Sequence, residues 1–318
     1  MEPGDARNGA GAGPPATEEP SPTARLATPE DWPALSALLH RAELLDCLDP
    51  RETVYAGLRE ARTFLAFTGG EVAGAFQFQV RRRPFAHVRL LAVHRAARAQ
   101  PVVAALLAAA CQPALEAGAE AWRYMAPPGP VGEALRRQGF HLVEEVVELE
   151  KEDYDIPSRG SEASRLRPAR EADFPALAAL DAAAFPPFWR NNLAAFYAYL
   201  RGGYTFLAAE REGRVVGYLV AEDHPAGFYI IRLAVDPAWQ GQGVGTRLLS
   251  EAIALARAQG TLPILLNTQR ANRRARRLYT WFGFRPSGRV LWAWTRAIAE
   301  RTAPAPGAGG AAGGGDAL

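Results

Sequence analysis

Five short segments of this chain recur in the same order at almost constant spacing, which restricts the fold to two copies of one architecture. Asp31-Trp32-Pro33-Ala34-Leu35 returns as Asp173-Phe174-Pro175-Ala176-Leu177, and 173 − 31 is 142. Phe64-Leu65-Ala66 returns as Phe206-Leu207-Ala208, and Leu91-Ala92-Val93 as Leu233-Ala234-Val235, both at 142. Leu106-Leu107 then matches Leu248-Leu249, and Gly139-Phe140 matches Gly283-Phe284 at 144. The repeats divide the chain into copies over 24–152 and 165–300. Residues 153–164, rich in Pro, Gly, Ser and charge, read as the linker. Residues 1–23 and 301–318 hold mainly Gly, Ala and Pro with a few polar or charged residues, too little apolar surface to offset ordering, and read as disordered tails.

Each copy opens on a helix, with Asp31 and Asp173 as candidate N-caps and Pro33 and Pro175 in the first turn. In the second copy, strands over 204–209 and 214–222 hinge at Glu212-Gly213, and a third over 227–235 stops at Asp236-Pro237. A helix over 244–259 follows, with Val244, Leu248, Ala252 and Leu255 near one face and Gly260 as its stop. A buried strand over 263–267, a helix over 272–282 and a last strand over 290–295 complete the copy. Hairpins that give way to strand–helix alternation imply an α/β (α+β) fold, in which each copy has a mixed, mostly antiparallel sheet flanked by helices.

Between the third strand and its helix stands Gln240-Gly241-Gln242-Gly243-Val244-Gly245. A helix N-terminus offers unpaired N–H groups and a partial positive charge, and glycine lets the backbone approach an oxyanion. No lysine follows as in a P-loop, and the spacing is not the dinucleotide fingerprint. Downstream, Asn272-Arg273-Arg274-Ala275-Arg276-Arg277-Leu278-Tyr279 runs on to Phe282-Gly283-Phe284. Ala275, Leu278, Tyr279 and Phe282 share one helical face.

The order Leu-Ala-Val-Asp-Pro, Gln-x-x-Gly-x-Gly, then Asn-x-x-Ala-x-x-Leu-Tyr-x-x-x-Gly-Phe resembles the GCN5-related N-acetyltransferase (GNAT) superfamily over essentially all of 165–300. The resemblance implies a tandem pair of GNAT folds and acetyl-CoA as co-substrate. It implies that the backbone of Leu233, Ala234 and Val235 serves the pantetheine arm and the developing oxyanion. It likewise assigns Gln240, Gly241, Gln242, Gly243, Val244, Gly245 and Thr246 to the pyrophosphate, Asn272 to the pantetheine side, and Tyr279 to the general acid beside the thioester sulfur. Asn272 also suits the N-cap of its own helix, and Tyr279 a core position. Phe188 and Trp189, on the segment that covers the acceptor in the family, and Tyr229 are its candidate acceptor-lining residues.

Many relatives carry a carboxylate on the strand before the glycine loop, but here that strand reads Phe228-Tyr229-Ile230-Ile231-Arg232-Leu233. Glu222, just upstream, is the leading candidate base, acting through water. The implied reaction is direct attack of a primary amine, on a small molecule or a protein N-terminus, in a ternary complex. The alternative is a non-enzymatic acyl-CoA-binding or sensing module. In the first copy Pro101 and Val103 replace Gly243 and Gly245, Arg98 replaces Gln240 and Leu135 replaces Tyr279, so this copy is expected to keep the fold without the donor chemistry and to help shape the acceptor pocket.

A net charge of +2 provides no field for nucleic acid, and Lys151 is the sole lysine, so arginine clusters are weak evidence of binding sites. The apolar run 102–111 is too short to span a membrane, and no basic-then-apolar leader opens the chain. Cys47 and Cys111 form no disulfide or metal pattern. The expectation is a cytoplasmic monomer or homodimer without metal, nucleic acid or membrane partners.

Overall fold

The computed structural model describes residues 20–47, 54–55, 57–58 and 62–298. Of the expected tails, residues 1–19 and 301–318 lie outside this set, while residues 20–23 are described and β1 (Thr23–Leu26) begins on the last of them. The first half continues with α1 (Trp32–Arg41), β2 (Ala42–Cys47), β3 (Thr63–Thr68), β4 (Glu71–Arg82), β5 (Phe85–His94), α2 (Ala99–Glu116), β6 (Ala121–Ala126), α3 (Pro130–Arg137) and β7 (His141–Lys151). The second half is β8 (Arg165–Pro168), α4 (Phe174–Ala184), α5 (Leu193–Arg201), β9 (Thr205–Arg211), β10 (Arg214–His224), β11 (Gly227–Val235), α6 (Val244–Gln259), β12 (Ile264–Gln269), α7 (Arg273–Trp281) and β13 (Arg285–Ala297).

Local chemistry accounts for most boundaries. Glu212 and Gly213 both take positive φ, +52° and +71°, the pairing a two-residue hairpin turn requires. Gly260 ends α6 at φ +70°, its N–H bonded to the carbonyls of Ala256 and Arg257. Asn272 caps α7, its Oδ1 accepting from Ala275 N–H at 3.1 Å. Asp31 and Asp173 stand at the N-caps of α1 and α4 but bond backwards instead of into their helices. Asp31 accepts from Thr28 N–H at 2.8 Å and from Arg25 at 2.7 Å, and Asp173 from Arg170 N–H at 2.8 Å and from Arg167 at 2.7 Å.

All the strands join one mixed sheet, in the order β1-β3-β4-β5-β6-β13-β7-β12-β11-β10-β9-β8, with β2 pairing β5 off this path. Seven helices flank it among the described residues. Only β5–β6 and β11–β12 pair in parallel. Each half contributes its terminal strand to the other: β7 pairs with β12, β13 pairs with β6, and the two terminal strands pair together at the centre. Val147 and Leu149 therefore lie in the core beneath α6, with Phe228, Ile230 and Phe282. Trp294 and Ile298 lie reciprocally in the first-half core, with Leu106 and Trp122. Burying each such large apolar side chain contributes roughly 1.5–3 kcal/mol, and separating the halves would also bare the edges of β6 and β12. The two repeats are thus one body, although neither repeat reveals this in its own sequence.

The segment 153–164 is packed rather than slack. Tyr154 and Ile156 join the apolar surface of the second half, and Ser161 N–H bonds the Gly243 carbonyl at 3.2 Å. Gly160, at φ +74°, passes so close to α6 that a Cβ there would fall 2.4 Å from Arg247 N.

Candidate active site

The site is built where β11 leaves β12. These parallel strands pair only through Phe228, Tyr229 and Ile230 against Ile264, Leu265 and Leu266, and beyond them the edge of β11 over 231–235 has no β12 partner. A β-bulge helps open this gap. Val220 pairs with Arg232 and the next residue, Ala221, with Ile230, leaving Ile231 as the extra residue. The bulge also turns Arg232 onto the face shared with Val220 and Tyr218, against α4 and α5.

A cleft of about 580 Å³ fills the gap. Leu233, Ala234, Val235, Gln240, Gly241, Gly243, Gly245, Thr246, Asn272 and Tyr279 line it, as does Trp189. Most of the residues that the sequence motifs single out around the glycine loop thus line one cleft. Gly241 and Gly243 both hold φ +80°, the left-handed region that spares the loop side chains there. Polar side chains brace the loop: Gln240 donates to Val235 O at 3.0 Å and accepts from Arg274, while Gln242 donates to Ala238 O and accepts from Arg211. Gln242 and Val244 are not lining residues; the first faces this bracing and the second is buried in the core.

Tyr279 is 6% exposed and lines the cleft, and its hydroxyl makes no hydrogen bond to a described residue. Burial pushes its phenol up to about 12, with the Arg232 charge pulling the other way.

Three other expected residues are not brought into the cleft. Phe188 is buried under the first half, edge-on to Phe85 at 5.4 Å and 4.3 Å from the Arg123 guanidinium. Tyr229 bonds its hydroxyl to Asn267 Nδ2 at 3.1 Å, below the opening. Glu222 pairs across from Tyr229 at the far end of β10, near the Tyr204 phenol, which burial and then the Glu222 charge push up.

A network that the motifs do not reveal stands instead on the wall opposite the glycine loop. Asp181 of α4, fully buried, accepts from Arg232 Nη2 at 2.6 Å, Arg232 Nε at 3.1 Å, Asn191 N–H at 2.7 Å and the Tyr218 hydroxyl. Arg232 Nη2 also donates to Trp189 O at 2.9 Å, and its guanidinium lies 3.4 Å from the Phe185 ring centroid. Burial works against the Arg232 charge, but Tyr218 and Asp181 more than offset it, so its pKa is raised. The first half grips the same segment from behind: Arg123 Nη1 donates to Phe188 O at 2.8 Å and its guanidinium lies 5.1 Å from the Trp189 ring. Two arginines, the buried Arg123 from the first half and the partly buried Arg232 from the second, therefore fix the turn Pro187–Trp189. The available sequence signal was a lone arginine inside the apolar strand 228–235, because a buried charge implies a paired one.

The model of the acetyltransferase (GNAT) family matches residues 29–130 and 166–284. The chain belongs to the GNAT family. A Rattus norvegicus protein, N-acetyltransferase 8F1, is 32% identical over 112 residues, 33% of this chain; the match spans about half (51%) of that relative. Among solved structures, a GCN5-related N-acetyltransferase from Sphaerobacter thermophilus superposes with TM-score 0.59 at 18% identity, covering 88% of this chain and 96% of that one. A tandem GNAT protein from the clavulanic acid biosynthesis pathway superposes with TM-score 0.58 at 17% identity, covering 88% and 99%. At these identities the structures share the fold. The match of the family model to both halves agrees with two GNAT copies in one chain. Among the described residues no group of His, Cys, Asp and Glu is arranged to hold a metal, and no helix is long and apolar enough to cross a membrane.

Proposed function

We propose that this chain transfers an acetyl group from acetyl-CoA to a primary amine of a small molecule or a protein N-terminus, within a ternary complex. One observation carries the reading: Tyr279 lines the same cleft as the glycine loop and the unpaired edge of β11. The residues present fit the donor. Glycines at positive φ and the start of α6 offer N–H groups to a pyrophosphate, and the β11 edge over 231–235 offers N–H and C=O groups to an amide-bearing arm. Gly245 lines the cleft, and an added Cβ there would stand in ordinary contact with Leu278 and Val235, both 3.6 Å away.

Acetyl-CoA, when bound, supplies the activated acetyl thioester. This chain's residues orient and solvate. N–H groups near Leu233 and Ala234 stabilise negative charge as it develops, and Tyr279 donates its proton to the leaving sulfur. Among the described residues no carboxylate lines the cleft, so the amine proton leaves through water, with Glu222 outside the opening. That absence is also the observation favouring the alternative, an acyl-CoA-binding module without turnover.

Thiol release measured against a panel of amines separates the two. A Tyr279→Phe variant should lose about 10²-fold or more in kcat while calorimetry shows acetyl-CoA affinity within about twofold of the parent. Equal kcat in the variant would remove Tyr279 from catalysis, and no CoA release from the parent with any amine would leave the binding module. The acid must be protonated to act, and its raised pKa extends that state upward. kcat/KM should therefore climb as the acceptor amine deprotonates, with no phenol-dependent fall until about pH 11. A turnover profile that falls between about pH 9 and 10 and loses that limb in Tyr279→Phe would contradict this assignment. We further propose that the chain works in the cytoplasm as a monomer or homodimer, without nucleic-acid or membrane partners; light scattering tests the oligomeric state.

A further inference from the structure

Arg232 has one side that the network does not use. Nε and Nη2 are held by Asp181, Tyr218 and Trp189 O, while Nη1 makes no hydrogen bond to a described residue. It is not sealed from solvent either, and Arg232 lines the cleft beside Phe185, Trp189, Ile231 and Tyr279. Nη1 is therefore the guanidinium nitrogen left unbonded on a residue that lines the cleft. The guanidinium cannot swing away, because its plane is pinned by the buried Asp181 carboxylate and by the Phe185 ring at 3.4 Å. A donor so preorganised loses little entropy when it binds a ligand oxygen.

The remaining lining gives this donor a sign. Asp181 is fully buried behind Arg232, and among the described residues no Asp or Glu lines the cleft, whose charged lining residues are Arg232 and Arg274. Arg274 stands on the donor side, bonded to Gln240. A second cationic group on the acceptor would find no counter-ion here, whereas an oxyanion would meet two N–H groups of a fixed guanidinium.

Resting on the acetyltransferase reading above, we infer that Arg232 Nη1 binds an oxyanion of the acceptor, so that the preferred acceptor is an amine that also carries a carboxylate. Phe185 and Trp189 form the apolar wall beside that group. A carboxylate and a phosphate share this chemistry, and the test separates them.

The experiment uses the full chain and matched acceptors: glycine against glycinamide and methylamine, L-phenylalanine against its amide and phenethylamine, and phosphoethanolamine against ethanolamine. Acetyl-CoA binding is measured first by calorimetry, and CoA release then gives kcat/KM. In at least one series the carboxylate member should exceed its neutral partners by about 10- to 100-fold, the range of one charge-assisted hydrogen bond. Arg232→Lys keeps a charge for Asp181 but removes Nη1, and it should collapse that ratio towards one while acetyl-CoA affinity holds. The comparison in the unmodified protein stands even if this variant folds poorly. The inference is overturned if neutral amines match or exceed the carboxylates in every series. It is also overturned if acetyl-CoA binds and no carboxylate is turned over, or if Arg232→Lys lowers all members of a series equally. Preference for phosphoethanolamine alone would overturn the carboxylate assignment. Failure of acetyl-CoA to bind would instead sink the donor reading on which the inference rests.

Discussion

The two halves place the same strand–helix frame around opposite outcomes. In the second, α6 starts only at Val244, after a loop in which Gly241 and Gly243 hold positive φ. In the first, α2 begins at Ala99, which corresponds to Gly241, so residues 99–101 are already helix and the loop is absorbed. Leu135, fully buried, stands where Tyr279 stands, and α3 opens at Gly129 without a capping side chain. The largest difference is a strand. β5 and β6 diverge just as β11 and β12 do, pairing only through Phe85, Ala86 and His87 against Ala121, Trp122 and Arg123. Into that gap β2 is laid antiparallel along β5, with Leu44, Leu45 and Asp46 opposite Val93, Ala92 and Leu91. Those three β5 residues are the counterparts of Val235, Ala234 and Leu233. The chain's own backbone thus takes the hydrogen-bonding edge that the other half leaves open. A binding edge in a sheet is empty only while nothing in the same molecule pairs with it.

The most damaging way to test this comparison is to make the second loop like the first. Gly243→Pro with Gly245→Val should weaken acetyl-CoA binding by at least about 100-fold in calorimetry, because proline cannot hold φ +80° and valine puts a branched side chain in the cleft lining. Retained affinity would mean that the loop is not the donor site.

A smaller effect should come from the link between the halves. Arg123→Met removes the grip on Phe188 O and the Trp189 ring, which is expected to raise the acceptor KM about tenfold and cost about 1–3 kcal/mol of stability, with acetyl-CoA affinity unchanged. A loss in donor affinity equal to that in acceptor KM would show general loosening. The smallest effect tests the strand. Pro101→Gly with Val103→Gly restores the glycines to the first half, yet calorimetry should still count one acetyl-CoA per chain, because β2 continues to cover β5. A second equivalent would show that loop chemistry alone had silenced this half. Excising the first half is no fair test of its function, since β6 would lose β13 and its core would lose Trp294.

Much of the site was legible because it is built from local signals. A glycine pair before a helix, an asparagine at its N-cap and a tyrosine on the core face each act within a few residues, and the structure gathers them at one cleft. Glu222 is close to the cleft strand in sequence but lies at the far end of β10, and the bulge at Ile231 puts Arg232 on the face packed against α4 and α5. Phe188 and Trp189 are neighbours in sequence, yet one is buried beneath Arg123 and the other lines the cleft. Adjacent side chains diverge, and only the partner surface decides which is covered.

By itself, then, the sequence determined that there are two copies of one fold, where helices and hairpins begin and end, and that only the second copy keeps the glycine loop. These follow from propensity, capping and backbone freedom, which operate over one or two turns. The exchange of β7 and β13, the strand laid along β5, and the Asp181–Arg232 network were decided by tertiary structure alone. Each joins residues far apart in the chain, where pairing depends on which edge is left open and which charge is left buried.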